Sequence, residues 1–274
     1  MSARVLVDGV AGASVLALDR GLLYGDGLFE TVLHVDGRAP LWTRHMARLA
    51  VGCARLALPL PDPALLAAEA ARVIEARGRL VLRITLTRGI GARGYAPPER
   101  AQATRIVAAF AAPDVAAHWY AEGIRLRFCD MRLALQPRLA GIKHLNRLEQ
   151  VLARAEWNDP AIAEGLMLDT EGRVIAATAA NLFAVIDGRL CTPRLDRCGV
   201  AGVARAEVMA QVPTTELDLD PAALERAGEI FLTSAVRGVL PVAMVAERAL
   251  AVGPVTRTLQ AHWRARGLLP AVAS

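Results

Sequence analysis

The chain of 274 residues contains little lysine, few aromatic residues and few cysteines. Lysine and arginine together number 32, yet the sequence holds a single lysine, Lys143. Aromatic residues make up 4% of the chain, whereas hydrophobic residues make up 54%, many of them Ala, Leu and Val. This composition favours helices packed on sheets over an all-β fold, and the length allows one or two domains.

Other absences exclude whole classes of function. No uncharged apolar run reaches 18 residues, so no membrane span is expected. The net charge of +5 comes from dispersed arginines without basic runs, which argues against nucleic-acid binding. His, Asp and Glu are too scattered to predict a metal site. The four cysteines lack C-x-x-C spacing and no signal-peptide pattern is present, so we expect free thiols and a cytoplasmic protein.

The single lysine is itself informative. Arginine can replace lysine in surface ion pairs and in phosphate binding, but its guanidinium stays protonated and cannot act as an amine nucleophile. A lysine amine can lose its proton and react with a carbonyl group. Lys143 is therefore a candidate Schiff-base or general-base residue, with a lysine left on the surface by chance as the alternative.

The pattern of elements predicts a mixed α/β fold with two lobes, residues 1–112 and 120–274, joined by a connector at 113–119. In the first lobe we predict strands at Val5–Val7, Val15–Leu18, Leu28–Val35, Arg38–Leu41, Leu80–Thr87 and Thr104–Phe110, with helices over 43–58, capped by Thr43, and Pro63–Ala76. In the second lobe we predict strands at Ile124–Phe128, Gly165–Leu168, Val174–Ala177, Leu182–Ile186, Ile230–Thr233 and Val239–Val245, with helices at His144–Trp157, Gly202–Gln211 and Pro254–Arg266.

Two glycine-rich segments could bind ligands. Gly89–Gly94 reads G-x-G-x-x-G after a strand, but the prolines at 97 and 98 do not begin the helix that a dinucleotide site needs. A substrate loop carrying Arg93 fits better, and a nucleotide-binding module stays as an alternative. Gly199–Arg205 opens a helix, so its backbone N–H groups and the helix dipole favour a phosphate.

The segment Ala140–Gln150, which contains Lys143, closely resembles the cofactor-lysine segment of the class IV aminotransferase family, the fold-type IV pyridoxal-phosphate enzymes. Further segments resemble that family in the same order: Asp19-Arg20-Gly21, Tyr24–Glu30, His45–Leu49, Ala179–Phe183, Thr192-Pro193 and Gly199–Arg205. The lysine segment is most similar to the family's lyase branch, which acts on 4-amino-4-deoxychorismate. The resemblance implies a small N-terminal α/β lobe, a larger lobe with a barrel-like sheet, bound pyridoxal 5′-phosphate, and a homodimer.

The resemblance also implies roles for individual residues. Lys143 would bind the cofactor as a Schiff base and move the substrate proton, and Thr31 would be a second catalytic residue. The implied cofactor-binding set is Arg48, Lys143, Gly202, Val203, Ala204, Ala176, Asn181 and Ser234. The implied substrate-binding set is Arg93, Tyr95 and Phe29, since the substrate of the lyase branch is a dicarboxylate.

One position departs from the family pattern. Most relatives hold a glutamate beside the pyridine nitrogen, five residues before Asn181, and here that position is Ala176. A carboxylate there makes the ring a better electron sink, which transamination needs more than an elimination does. Ala176 therefore favours the lyase over a D-amino-acid or branched-chain aminotransferase. A non-catalytic cofactor-binding relative is the remaining alternative, and Thr178 is a candidate substitute donor.

Overall fold

The computed structural model describes residues 4–74 and 78–270. The chain divides into two compact units, the first formed by Met1–Pro113 with Ile142–Asn146 and the second by Asp114–Gly141 with Arg147–Ser274. The division into 1–112, 113–119 and 120–274 stays a prediction. The mixed α/β class expected from the sequence is confirmed, because each unit combines a sheet with helices.

The first unit is an antiparallel sheet with helices packed on it. Its strands are β1 (Arg4–Val7), β2 (Val10–Ala11), β3 (Gly27–Val35), β4 (Arg79–Thr87) and β5 (Thr104–Ala111), in the order β2-β1-β5-β4-β3. Its helices are α1 (Arg20–Tyr24), α2 (Trp42–Leu56) and α3 (Pro63–Val73). Helix α2 packs against β3, and α3 packs against β5 and β1. The expected end of the second helix, at Ala76, lies outside the described residues.

Three local predictions in the first unit are wrong. The 15–18 segment is not a strand, since it ends in a turn in which the Asp19 N–H donates to the Leu16 carbonyl. The 38–41 segment forms only one bridge, between Val35 and Arg38, because Pro40 has no N–H with which to extend a ladder. Thr43 does not cap α2: the cap position is residue 41, and no side chain bonds there.

The lysine segment is extended, which corrects the predicted helix over His144–Trp157. The Phe29 N–H donates to the Lys143 carbonyl at 3.0 Å, and the Leu145 N–H donates to the Gly27 carbonyl at 3.0 Å. These bonds form an antiparallel bridge between Leu28 and His144. Backbone groups paired with β3 cannot also form helical bonds, so helix α5 spans only Leu148–Arg154. The lysine therefore belongs to the first unit's sheet.

The second unit is a curled sheet of nine strands. They are β6 (Ile124–Leu133), β7 (Ile162–Asp169), β8 (Val174–Ala177), β9 (Asn181–Ile186), β10 (Arg189–Pro193), β11 (Thr215–Leu217), β12 (Glu229–Ser234), β13 (Gly238–Val245) and β14 (Arg248–Ala249). The order is β11-β10-β9-β12-β13-β6-β7-β8, with β14 beside β13. Because β8, at one end of this order, also contacts β9 and β10 near the other end, the sheet curls into a half-barrel.

Four further helices accompany α5 in the second unit: α4 (Ala117–Ala121), α6 (Val203–Gln211), α7 (Pro221–Glu225) and α8 (Pro254–Ala265). The predicted helices at Gly202–Gln211 and Pro254–Arg266 are confirmed to within one residue at each end. All four cysteines are free and buried, as expected. In the part of the chain that the structure describes, no helix has both the length and the hydropathy that crossing a membrane requires.

Candidate active site

The side chain of Lys143 lies on one face of the first unit's sheet. Its backbone pairs with Phe29, so these two side chains share a face of the sheet. The Lys143 Nζ lies 4.2 Å from the centroid of the Phe29 ring, and Phe29 is buried. An ammonium group at that distance from an aromatic face is held by the ring quadrupole. The half-buried amine therefore has a defined position rather than extending freely into solvent.

A guanidinium that the sequence did not single out shares this face. Arg83 on β4 pairs with Thr31 on β3, so both side chains lie on the face that carries Phe29. The Arg83 Cζ lies 4.2 Å from the centroid of the same Phe29 ring. No carboxylate of the described residues forms a salt bridge with Arg83. The alternation along β4 showed which residues share a face, but only the pairing register brings Arg83 beside Lys143.

The opposite face of β3 carries a buried carboxylate. The two Glu30 carboxylate oxygens accept bonds from Arg48, with 2.8 Å between the Arg48 Nε and Oε1 and a short contact between Nη2 and Oε2. The His45 Nδ1 lies 2.6 Å from the Glu30 Oε2. Glu30 and His45 are almost completely buried. Since His45 and Arg48 are three residues apart on α2, one helix face presents both to the carboxylate.

The charges of Glu30 and His45 depend on the balance between burial, which favours their neutral forms, and hydrogen bonds to their neighbours. Burial alone would raise the pKa of Glu30, but the hydrogen bonds from Arg48 and His45 outweigh it and hold that pKa below its usual range. Burial lowers the pKa of His45, although Glu30 opposes the shift. Glu30 is thus an anion and His45 a neutral ring at neutral pH. The anion fixes the Arg48 guanidinium in one orientation.

The glycine-rich segment at 89–94 is a surface loop. Arg93 is exposed, and Tyr95 is 86% exposed, with its ring 5.5 Å from that of Tyr24. No helix begins after Gly94 in the described residues up to β5, so the loop lacks the helix N-terminus that would bind a dinucleotide pyrophosphate. The structure therefore does not support the nucleotide-binding alternative. It does not bring Arg93 or Tyr95 into contact with Lys143.

In the second unit, Asn181 shapes the turn before α6. Its amide donates to the Val200 carbonyl at 2.9 Å and accepts from the Gly202 N–H at 3.1 Å. A Cβ at Gly202 would collide with the Asn181 amide oxygen, so this position requires glycine. Gly141 lies two residues before Lys143 in the chain and forms a parallel bridge with Val200. The Gly141 N–H donates to the Gly199 carbonyl at 2.9 Å, and the Gly141 carbonyl accepts from the Ala201 N–H at 3.0 Å.

The start of α6 is suited to an anion. Gly202 is the cap residue, and it has no side chain that could accept hydrogen bonds from the first-turn amides. The first-turn amides, including those of Val203 and Ala204, have no carbonyl partner within the helix, and the helix dipole makes this end positive. A phosphate group can come close to the backbone at Gly202, where there is no side chain, and can accept hydrogen bonds from the backbone N–H groups there.

Ala176 on β8 lies among apolar side chains, and a polar cluster follows it two residues later in the chain. The Thr178 hydroxyl makes a short hydrogen bond to the Glu164 Oε1. The Arg237 Nη2 donates to the Glu164 Oε2 at 2.6 Å, and Glu164 is only 3% exposed. Thr178 is therefore already bonded to a carboxylate. Glu164 and Arg237 were not identified from the sequence, because a glutamate beginning an apolar strand gives no sign of its partner.

Ser234 is the last residue of β12 and pairs with Gly238 of β13. Its hydroxyl oxygen accepts a bond of 3.0 Å from the Arg237 N–H and so orders the turn between the two strands. In the described residues, no group of three or more His, Cys, Asp or Glu side chains could bind a metal ion.

Comparisons with known proteins show which proteins the chain is similar to. A model of the family described as amino-transferase class IV matches residues 27–245. The aminodeoxychorismate lyase of Vibrio harveyi is 33% identical over 268 residues, covering 93% of this chain and 98% of that protein. A putative branched-chain-amino-acid aminotransferase of Methanocaldococcus jannaschii is 29% identical over 265 residues, covering 92% and 91%. The crystal structure of 4-amino-4-deoxychorismate lyase from Pseudomonas aeruginosa has 46% identity and a TM-score of 0.89, covering 95% of this chain and 98% of that one.

Proposed function

This chain belongs to the amino-transferase class IV family, and on that premise we propose that it is a pyridoxal-phosphate-dependent lyase that converts 4-amino-4-deoxychorismate into 4-aminobenzoate and pyruvate. The observation that carries the proposal is the position of Lys143, the only lysine, on one sheet face with a hydroxyl and a guanidinium. An amine, a proton-carrying hydroxyl and a cation for carboxylates are what this reaction requires.

The residues present fit the cofactor. Lys143 supplies the amine that can bond the cofactor aldehyde. The start of α6, with the amides of Val203 and Ala204 and the tight glycine at 202, supplies a phosphate site. We assign Arg48 to the phosphate as well, and the remaining cofactor contacts to Ala176, Asn181 and Ser234. When bound, pyridoxal phosphate withdraws electrons from the amine-bearing carbon of the substrate.

The chain's own residues then account for the bond changes. The Lys143 amine takes the proton from the amine-bearing carbon, and the carbon–oxygen bond to the enolpyruvyl group breaks. The departing group takes up a proton and becomes pyruvate, and the remaining ring becomes aromatic. Thr31 supplies a hydroxyl on the same face of the sheet that can pass that proton. No electrons are lost or gained overall, so no oxidant is required.

The substrate carries two carboxylates, and we assign two arginines to them. Arg83 joins the substrate-binding set because its guanidinium lies against Phe29 beside Lys143 without a carboxylate partner among the described residues. Arg93 and Tyr95 contribute from the glycine-rich loop. Arginine suits this task since its planar fork matches a carboxylate with two parallel hydrogen bonds.

Substitution of Lys143 tests the proposal. Lys143→Arg keeps the positive charge but removes the reactive amine, so release of 4-aminobenzoate should fall by at least about a thousandfold. Arg226→Lys is a suitable control because Arg226 is exposed at the end of α7. It should retain activity. Wild-type turnover by the Lys143→Arg variant would contradict the proposed function.

An aminotransferase is the second candidate, favoured by the similarity to the Methanocaldococcus jannaschii protein. A keto-acid acceptor should then regenerate the aldehyde cofactor after each half-reaction with an amino acid. A non-catalytic relative would bind the cofactor without turnover of either substrate. We further propose that the protein is a cytoplasmic homodimer, which is compatible with its four free, buried thiols. Light scattering at assay concentration checks the dimer.

A further inference from the structure

The substrate loop, defined here as Gly89–Pro98, is fixed at its base by backbone bonds. The Arg20 N–H donates to the Gly89 carbonyl at 2.8 Å, and Asp19 forms an antiparallel bridge with Ile90. Gly89 has a φ of +76°, and a side chain at that position would collide with the Gln102 carbonyl. The first residues of the loop therefore have one conformation.

The second half of the loop, Gly94–Ala96, is fixed by a single side chain. The Arg20 Nη1 donates to the Gly94 carbonyl at 2.9 Å and to the Ala96 carbonyl at 3.3 Å. The Arg20 Nη2 donates to the Tyr95 carbonyl at 3.0 Å. One guanidinium thus binds three consecutive carbonyl groups. Arg93 directly precedes the first of them, so its backbone lies between two fixed parts of the loop, Gly89-Ile90 and Gly94–Ala96.

Arg20 is itself held rigidly. It is 4% exposed, its Nε donates to the Asp26 Oδ2 at 2.9 Å, and its Cζ lies 4.9 Å from the centroid of the Tyr24 ring. A Cβ at Gly91 would lie 3.2 Å from the Arg20 Cδ, so the loop packs directly on this side chain. A buried arginine in which each of the three guanidinium nitrogens donates to an acceptor has little freedom to move.

A second arginine anchors the carboxylate of Asp26. The Arg88 Nε donates to the Asp26 Oδ2 at 2.8 Å and its Nη2 to Oδ1 at 3.0 Å. Arg88 also bonds the Leu56 and Ala57 carbonyls at the end of α2, at 2.8 and 3.0 Å. Burial alone would raise the pKa of Asp26, but the bonds from Arg88 and Arg20 outweigh it and hold that pKa below its usual range. The loop is thereby tied to α2, the helix that carries Arg48.

We infer that Arg20 is a positioning residue for the substrate: by binding the Gly94, Tyr95 and Ala96 carbonyls, it holds Arg93 where a carboxylate of the substrate binds. The inference rests on the proposed function for the identity of the carboxylate. Ordering the loop before the ligand arrives lowers the entropy cost of binding, so loss of the clamp should weaken binding more than it slows the chemical step.

Arg20→Lys is the direct test, since one ammonium group cannot bind three carbonyls and Asp26 together. Trypsin cleavage after Arg93 reports on the loop without any need for activity, because cleavage requires the Gly94 carbonyl to leave the clamp. We expect the variant to be cut at least about tenfold faster than the wild type. KM for the substrate should rise about tenfold with kcat changed by less than about threefold. Equal cleavage rates and equal KM would overturn the inference.

A matched control separates the clamp from general destabilisation. Arg105→Lys removes a half-buried arginine of the same sheet, which bonds Glu69 and does not contact the loop. It should lower the melting temperature without changing cleavage at Arg93. If Arg20→Lys does not fold, Asp26→Asn keeps Arg20 and removes its anionic anchor. Faster cleavage at Arg93 is expected there too, and an unchanged rate would overturn the inference.

A binding probe distinguishes failure of this inference from failure of the proposed function. Isophthalate, a cyclic dicarboxylate that cannot react, should protect Arg93 of the wild type from trypsin. Protection of the Arg20→Lys variant should need at least about tenfold more isophthalate. Protection at the same concentration in both proteins, or none in the wild type, would overturn the inference. Absence of 4-aminobenzoate release, with the trypsin results as expected, would contradict only the proposed function.

Discussion

Each unit of the molecule buries a glutamate that pairs with an arginine, and the two pairs differ in their surroundings. In the first unit Glu30 bonds Arg48 and His45, both on the 15-residue helix α2. In the second unit Glu164 bonds Arg237, in the turn between β12 and β13, and the hydroxyl of Thr178. One carboxylate fixes a guanidinium on a long helix, whereas the other ties together two turns.

The difference bears on Ala176. The buried carboxylate of Glu164, which bonds the hydroxyl two residues after Ala176, forms a salt bridge with Arg237. Thr178, the substitute donor considered from the sequence, is bonded to the same carboxylate. The polar side chains of this cluster therefore bond one another.

The largest effect is expected from Glu30→Gln. The Arg48 side chain is 12% exposed, so removing its anionic partner leaves a charge with little access to water. Breaking such a pair costs about 3–5 kcal/mol of unfolding free energy. Urea denaturation measures it. A loss below about 1 kcal/mol would mean that the pair behaves like an exposed surface ion pair.

Glu164→Gln should destabilise the protein less, by about 2–3 kcal/mol, because Arg237 is 18% exposed and can reach solvent. The double variant Glu164→Gln with Arg237→Met should recover part of that loss, since no unpaired charge remains. The same denaturation series compares the two clusters. A double variant less stable than Glu164→Gln alone would contradict the charge-pairing explanation.

Ala176→Glu introduces the carboxylate that the family resemblance implies at this position. The rate of the amino-transfer half-reaction should rise about tenfold, which corresponds to a barrier lower by about 1.4 kcal/mol. The rate is measured as conversion of the aldehyde cofactor to the amine form with D-alanine. Ala176→Gln is the matched control of similar volume without charge. Equal rates in the two variants would show that the carboxylate has no role at this position.

The smallest effect concerns pH. The pKa of His45 is lowered in the folded protein, so below the unfolded value of about 6.5 the unfolded chain binds a proton that the folded chain does not. Stability should therefore fall as pH drops from 7.5 to 5.5, by up to about 1.4 kcal/mol per pH unit. His45→Gln, whose amide can still donate to Glu30, should flatten this dependence. An equally steep fall in that variant would assign it to other groups, such as His34.

Local patterns predicted most of the elements correctly, because alternation and turn residues are short-range signals. The Asp36-Gly37 turn after β3, with both residues at positive φ, was predictable for this reason. The helix predicted from His144 was wrong, since pairing with β3 overrides helix propensity at a distance of more than 100 residues. Long-range pairing of this kind leaves no trace in a single sequence.

The residues of the candidate site also fall into those that the sequence could suggest and those that only the structure shows. Composition alone was enough to propose Lys143, and a family motif was enough to propose Arg48. Arg83 could not be proposed, because in a chain with 31 arginines no local feature marks it as the one beside Phe29. Arg20 lies in a segment that resembles the family, but that segment did not indicate its bonds to the substrate loop. Their roles depend on strand register and on bonds between residues about 75 positions apart.

Borohydride reduction of the protein loaded with pyridoxal phosphate tests most directly whether Lys143 is the reactive amine. The absorption band of the bound cofactor should disappear on reduction, and peptide mass mapping should place one stable adduct on Lys143, with none in the Lys143→Arg variant. No band and no adduct on Lys143, or the same adduct elsewhere in the Lys143→Arg variant, would contradict the assignment.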